Sequence, residues 1–289
     1  MKEIVQHFDP RQVMNTESFE IFHYKGLLPV DVDVHHHDFY EVYLFLKGSA
    51  EYWIEGRRVS MVPGDLILIN PTELHRSIVH PESTDYERIV LWINKEYLSS
   101  LSTPETDLSV CFDASRPFHM NRIRPTGAAL SPIASTLASL VDEYFSSEWG
   151  KKTRLEAIFI QFMVELNRHY LSLSQRGAKD NEDSFVQSVL KYISENYMEE
   201  LSLDSIADLF FVSKYHLSHA FRREVGVSLY RYVMLKRLLA AKEMLLSGMS
   251  AGEAAYASGF GDYAGFWRAF KAEYGISPKE FVMGDNDFR

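Results

Sequence analysis

The chain has 289 residues, about twice the usual length of one domain, so two domains are expected. Hydrophobic residues make up 46% and charged residues 24%, and no apolar run approaches the roughly eighteen residues of a membrane helix, so no membrane partner is expected. A formal net charge of −10 argues against a protein that coats nucleic acid indiscriminately, and a single cysteine, Cys111, excludes an internal disulfide framework and any multi-cysteine zinc or iron–sulfur site.

Residues 1–10 contain acids and no hydrophobic stretch, unlike a secretory signal; with the cysteine usage this predicts a cytoplasmic protein. The acidity is uneven. Residues 184–289 hold 12 Lys/Arg and 13 Asp/Glu, whereas residues 1–183 hold 18 and 27. Within residues 214–243 seven cations (Lys214, Arg222, Arg223, Arg231, Lys236, Arg237, Lys242) meet only Glu224 and Glu243. This is either an anion-binding surface or a solvated helix face.

Residues 20–95 read as short strands. Glu41 to Leu46 is β-branched and aromatic before a turn at Lys47-Gly48; Glu51-Tyr52-Trp53-Ile54 follows, then a hairpin signal at Glu55-Gly56-Arg57-Arg58 and a strand at Val59-Ser60-Met61-Val62. Pro63-Gly64-Asp65 turns into Leu66-Ile67-Leu68-Ile69, and residues 75–79 and 88–93 complete the set. Strands at this spacing predict a sandwich or barrel. Along the first, inward-facing Glu41 would place Tyr43 and Phe45 inward too, barring a bulge. Such aromatics, with nearby His and Glu, suit a small polar ligand such as a sugar; Trp53 and Trp92 are either stacking surfaces for it or plain core.

Residues 127–173 change to helical spacing. Leu130, Ile133, Leu137, Leu140 and Tyr144 form one stripe; after Trp149-Gly150, Leu155, Ile158/Phe159, Phe162/Met163, Leu166 and Tyr170 form another. This helical hairpin could pack on the barrel or on a second copy of the chain. Residues 174–184 are polar throughout and read as a linker. The expected layout is a barrel over residues 1–125, a hairpin for packing or dimerisation over 126–173, the linker, and an all-helical domain over 185–289.

That helical domain repeats itself. Phe221-Arg222-Arg223-Glu224-Val225-Gly226-Val227-Ser228 matches Phe270-Lys271-Ala272-Glu273-Tyr274-Gly275-Ile276-Ser277 at an offset of 49, and Ile206-Ala207 pairs with Ala254-Ala255 at an offset of 48. Each copy reads as a short helix, a turn and a longer helix. In the first, Ser213 caps a helix that buries Leu217, Phe221 and Val225 and exposes Lys214, Tyr215, Ser218, His219 and Arg222. In the second, Asp262 caps a helix that buries Phe266 and Phe270 and exposes Tyr263, Ala264, Trp267, Arg268 and Lys271. Residues 229–247 read as one long helix joining them. Two helices so tied can reach successive major grooves of double-stranded DNA, about 34 Å apart. Gly259 can supply the left-handed turn residue of the second copy more easily than Phe211 supplies that of the first.

The residues Ala207…Ser213-Lys214-Tyr215-His216-Leu217…Phe221-Arg222…Gly226, then Arg237-Leu238…Ala241…Leu245, and Ala255…Gly259-Phe260…Asp262…Phe266…Phe270-Lys271…Gly275-Ile276-Ser277-Pro278…Phe281 resemble the AraC/XylS family of transcription regulators. The resemblance implies a DNA-binding domain with two helix-turn-helix units, and puts Lys214, Tyr215, Ser218, His219, Arg222, Tyr263, Ala264, Trp267 and Arg268 toward DNA. Three positions depart from the pattern: Phe211 for a turn glycine, Gly265 for an aromatic or His, and Val282 for a closing Arg. Gly265 costs the second reading helix about 1 kcal/mol relative to Ala.

Upstream, His35-His36-His37-Asp38-Phe39-Tyr40-Glu41, Pro63-Gly64-Asp65 and Asn70-Pro71-Thr72-Glu73-Leu74-His75 resemble a cupin barrel of the kind placed before such modules. That implies an effector site at His35, His37, Glu41, Tyr43 and His75. In metal-binding cupins the positions of His35, His37, Glu41 and His75 hold Zn, Ni, Mn or Fe(II), although here Glu73 replaces a glycine; these side chains are either metal ligands or hydrogen-bonding pocket lining. The leading expectation is an effector-responsive, homodimeric transcription factor, with no cofactor and no catalysis. The alternatives are a metal-dependent cupin enzyme with a helical appendage, and a protein-interaction module.

Overall fold

The computed structural model describes residues 13–26, 33–80, 85–116, 119–124, 130–174 and 185–286. The expected linker, apart from Ser174, and residues 1–10 lie outside the described residues. The chain divides into two compact units, Met1–Asn181 and Glu182–Arg289.

The first unit is built on strands β1 (Phe19–Lys25), β2 (Tyr40–Lys47), β3 (Ala50–Ile54), β4 (Arg57–Ser60), β5 (Leu66–Ile69), β6 (His75–Val79), β7 (Glu87–Ile93) and β8 (Arg122–Ile123). They form a five-stranded sheet in the order β1-β7-β2-β5-β8 and a three-stranded sheet in the order β4-β3-β6, and every paired neighbour is antiparallel. A bridge between His35 and His75 extends the pairing. Glu55 and Gly56 both take positive φ (44° and 86°), which closes the β3–β4 hairpin as a two-residue turn whose twist matches the strands. Strand β4 therefore starts at Arg57, two residues before the expected position.

Alternation in β2 divides the unit into two cores. Tyr43 and Phe45 point between the sheets and pack with Phe39, Tyr52, Ile54, Ile67, Ile69, Val90 and Trp92. Val42 and Leu44 point the other way, toward helices α2 (Leu130–Tyr144) and α3 (Lys151–Ser174), which follow the short helix α1 (Lys95–Leu101). Ile133, Leu137, Leu140, Phe159, Phe162, Met163, Leu166 and Tyr170 are buried there against Phe19, Ile21, Leu66, Leu68, Leu91 and Ile93. Most of the described stripe residues are thus covered by the chain's own sheet, with Tyr144, Leu155 and Ile158 half-buried at its margin; at ~1.5–3 kcal/mol per buried large apolar side chain, this face holds the helices firmly. Trp53 is buried but stands outside the cluster between the sheets.

The second unit consists of α4 (Phe185–Asn196), α5 (Leu203–Leu209), α6 (Lys214–Val225), α7 (Leu229–Leu246), α8 (Ala251–Ala257), α9 (Tyr263–Tyr274) and α10 (Pro278–Asn286). Local chemistry sets the boundaries. Ser202 and Ser250 cap α5 and α8 through reciprocal capping boxes, Ser228 caps α7, and left-handed Gly226 and Gly275 end α6 and α9. Leu238, Ala241 and Leu245 of α7 pack with Ala254, Ala255, Phe266 and Phe270 of the second copy. No helix among the described residues is long and apolar enough to cross a membrane.

Candidate DNA-binding face and effector site

The longer helix of the first copy, α6, begins where the Ser213 hydroxyl accepts the His216 amide, and buries Leu217, Ala220, Phe221 and Val225. Its other face is open: Lys214, Tyr215, Ser218, His219 and Arg222 are all exposed, Tyr215 by 80%. The Tyr215 and His219 rings stack one turn apart, 6.0 Å between centroids. In the second copy the Asp262 carboxylate accepts the Gly265 amide at 2.7 Å, and α9 buries Phe266 and Phe270. Tyr263, Ala264, Trp267 and Arg268 are exposed, and Lys271 lies over the Trp267 ring at 5.1 Å. All nine residues expected to face DNA are therefore exposed, on two capped helices. A cleft of about 540 Å³ is lined by Ser218 of α6, by Asp262, Gly265 and Ala269 at α9, and by Leu229, Tyr230, Val233 and Met234 of α7.

The basic stretch dissolves on folding. Arg237 turns back into the unit and donates from Nε to the Tyr197 carbonyl and from an Nη to that of Glu199, both at 2.7 Å. Lys242 is 3% exposed, over the rings of Tyr274 and Phe281. Arg231 pairs with Glu273 at 2.7 Å, tying α7 to α9, and Lys214 pairs with Asp204 at 2.6 Å. The count over residues 214–243 overstated the cationic face, because charge summed along a helix ignores which side each residue takes.

In the first unit, the structure brings His35, His37, Glu41 and His75 together. The ring centroids of His35 and His75 are 4.4 Å apart and those of His37 and His75 are 4.8 Å apart. Each imidazole is fixed by a carbonyl two residues away: Nδ1 of His35 faces Asp33 O at 2.8 Å, that of His37 faces Phe39 O at 2.8 Å, and that of His75 faces Glu73 O at 2.9 Å. A carbonyl can only accept, so Nδ1 carries a proton in all three rings. Burial, reinforced by the neighbouring imidazoles, pushes the His75 pKa well down and lowers that of His35, so both are held neutral.

Burial alone would raise the Glu41 carboxyl, but the adjoining His37 and the Tyr52 hydroxyl outweigh it and hold Glu41 below the ordinary carboxylate range. Tyr52 donates to Glu41 Oε1 at 2.7 Å and the Trp92 indole donates to Oε2 at 2.9 Å. Tyr43 sits one step along the same face, edge-on to Tyr52 and hydrogen-bonded to the Tyr86 hydroxyl. Tyr52 as a partner of Glu41 was missed: it lies on β3 in the other sheet, so the contact depends on how the two sheets face each other, which no local pattern gives. Glu73, which departs from the cupin pattern, is buried and accepts from Asn70 N at 2.8 Å and from Asn121 Nδ2 at 2.8 and 2.9 Å, bracing the loop before His75. The donor atoms of His37, Glu41 and His75 all lie within 4.8 Å of one another.

Two family models match the chain: an AraC-like ligand binding domain over residues 30–163 and a helix-turn-helix domain over residues 206–283. Among curated proteins, an uncharacterized HTH-type transcriptional regulator, YbfI of Bacillus subtilis, is 25% identical over 250 residues, 84% of each chain. The HTH-type transcriptional activator RhaS of Salmonella arizonae is 26% identical over 253 residues, 86% of this chain and 87% of its own. Among solved structures, unsaturated fatty acid-bound ToxT of Vibrio cholerae is 15% identical, covering 93% of this chain and 96% of its own with a TM-score of 0.40. The DNA-binding domain of AdpA in complex with a target DNA is 22% identical, covering 36% of this chain and 95% of its own with a TM-score of 0.35. With a β-rich ligand-binding domain ahead of a duplicated helix-turn-helix domain, the chain belongs to the AraC/XylS family of transcriptional regulators.

Proposed function

We propose that the chain reads a bipartite DNA sequence with α6 and α9, and that the barrel senses a small polar effector at His35, His37, Glu41, Tyr43 and His75. The observation that carries this is the pair of capped helices whose nine outward residues are all solvent-exposed while their opposite faces are fully buried. Arg222 and Arg268 supply donors to bases or phosphates; Tyr215, Tyr263 and Trp267 supply flat apolar contact; Ser218 and His219 add short polar ones. In the barrel, aromatic rings beside an ionised Glu41 and the neutral rings of His35 and His75 suit a ligand with several hydroxyl or carboxylate oxygens, a sugar among them. We include homodimerisation in this reading; since the chain's own sheet covers the apolar stripes of α2 and α3, two copies would meet through other surfaces.

Selection of bound DNA from a random pool, repeated with candidate sugars, tests the reading. The expected result is a site with two conserved half-elements whose affinity changes with one effector class. Absence of any enriched sequence at moderate salt would refute it.

A further inference from the structure

The two helix-turn-helix copies differ at one equivalent position. His216 and Gly265 are each the third residue after a helix cap, and each donates its amide to the cap side chain, Ser213 at 3.2 Å and Asp262 at 2.7 Å. In the first copy that place is filled: the His216 ring lies 5.6 Å from the Phe185 ring of α4. In the second no side chain stands there, and Gly265 opens on the cleft of about 540 Å³ between the copies. That volume lies within the ~300–1,000 Å³ of sites that enclose small molecules. The walls are mainly apolar, with Leu229, Val233 and Met234 of α7 joined by Phe260 and Ala269. Arg237, the cation among the lining residues, directs its guanidinium to the Tyr197 and Glu199 carbonyls. An acceptor borders the space beside Gly265. Asp262 Oδ1 takes the Gly265 amide, while Oδ2 stands 3.0 Å from where a Cβ on Gly265 would sit. A carboxylate oxygen there favours an N–H donor and repels an anion.

We propose that this cleft is a second ligand site, additional to the barrel, for a small, flat, apolar molecule bearing an N–H donor, such as an aromatic amine or an indole. Its rings take the place that His216 and Phe185 fill in the first copy, and its N–H donates to Asp262 Oδ2. Ser218, one of the residues expected to face DNA, lines the same cleft. A bound molecule and a duplex compete for that wall, so each lowers the affinity for the other by the same factor.

The test titrates the full chain with N-phenyl-1-naphthylamine, which carries one N–H and fluoresces more strongly in apolar surroundings. The expected result is one saturable site per chain, with affinity falling at least ~10-fold in Ala269→Leu and in Gly265→Leu, which extend side chains into the cleft. Anilinonaphthalene sulfonate, the same ring system with a negative charge, should bind at least ~10-fold more weakly. No saturable binding by the unaltered chain overturns the proposal, as does unchanged affinity in both variants when folded. Hydrogen exchange of the unaltered chain needs no variant: the probe should protect amides within residues 228–234 and 260–269, and protection confined to the barrel overturns the proposal. Equal or tighter binding of the sulfonate overturns the ligand chemistry. With a selected DNA site present, probe affinity should fall at least ~5-fold, and no change overturns the competition. The probe titration itself contains no DNA. A chain that binds the probe but selects no DNA sequence therefore keeps the cleft site and loses the regulator reading, and the converse result does the opposite.

Discussion

Gly259 and Phe211 occupy equivalent turns of the two copies, and both are left-handed, with φ of +92° and +56°. Their surroundings are opposite. A Cβ on Gly259 would stand 2.6 Å from the Met198 carbonyl oxygen and 2.8 Å from its Cα. That backbone cannot easily retreat, because Arg237 holds the carbonyls on either side of Met198, those of Tyr197 and Glu199. Gly259→Ala therefore combines left-handed strain of about 1–2 kcal/mol with a forced backbone shift of about 1–3 kcal/mol. We expect a loss of at least about 2 kcal/mol in the second unit, or a Tm lower by at least about 8 °C for a domain of this size. Phe211 is 97% exposed, so Phe211→Ala keeps the same strain and gives up almost no burial; it should stay within about 0.5 kcal/mol of the parent. Calorimetric unfolding of the full chain, with the C-terminal transition resolved, measures both. Equal shifts for the two variants, or a cost below about 1 kcal/mol for Gly259→Ala, would refute the reasoning.

Other consequences follow from the same geometry. Arg222→Ala and Arg268→Ala should each weaken DNA binding and reduce the salt slope of log K by about 1 where the lost contact is to phosphate, with little change in stability, as binding titrations at several salt concentrations would show. Arg237→Met should behave oppositely: about 2 kcal/mol of stability lost with the two charge-assisted hydrogen bonds, seen in denaturant unfolding, and no change in salt slope. Cys111 is buried and its thiol pKa is pushed up by burial, so it should resist thiol reagents in the native chain and react only on unfolding. His35 and His75 have folded pKa values below the unfolded value of ~6.5, so the folded unit binds fewer protons than the unfolded chain below that pH; its Tm should fall between pH 7 and pH 5, and a flat Tm would contradict their burial as neutral rings.

Where structure follows from neighbours in sequence, the reading from residues alone came close. The repeat at offsets of 48 and 49 announced two helix-turn-helix units, and Ser213 and Asp262 marked the starts of α6 and α9 because capping is a property of the next three residues. Alternation in β2 correctly sent Glu41, Tyr43 and Phe45 to one side. What stayed hidden depends on contacts between distant segments. Strand β1, Phe-Glu-Ile-Phe-His-Tyr-Lys, is buried on both faces and so shows no clean alternation. The inward turn of Arg237 and Lys242 depends on how α7 crosses its neighbours, and no count of charge reveals it. The partnership of Glu41 with Trp92 needs the register of β2 on β7, and that with Tyr52 needs the way one sheet faces the other.

The claim on which the rest stands is that α6 and α9 each read a separate turn of one duplex. Methylation protection on a selected DNA site measures this directly. The account predicts two sets of major-groove protections about 10–10.5 base pairs apart, one set lost in Arg222→Ala and the other in Arg268→Ala. A single protected groove, or the same protections lost in both variants, would contradict it.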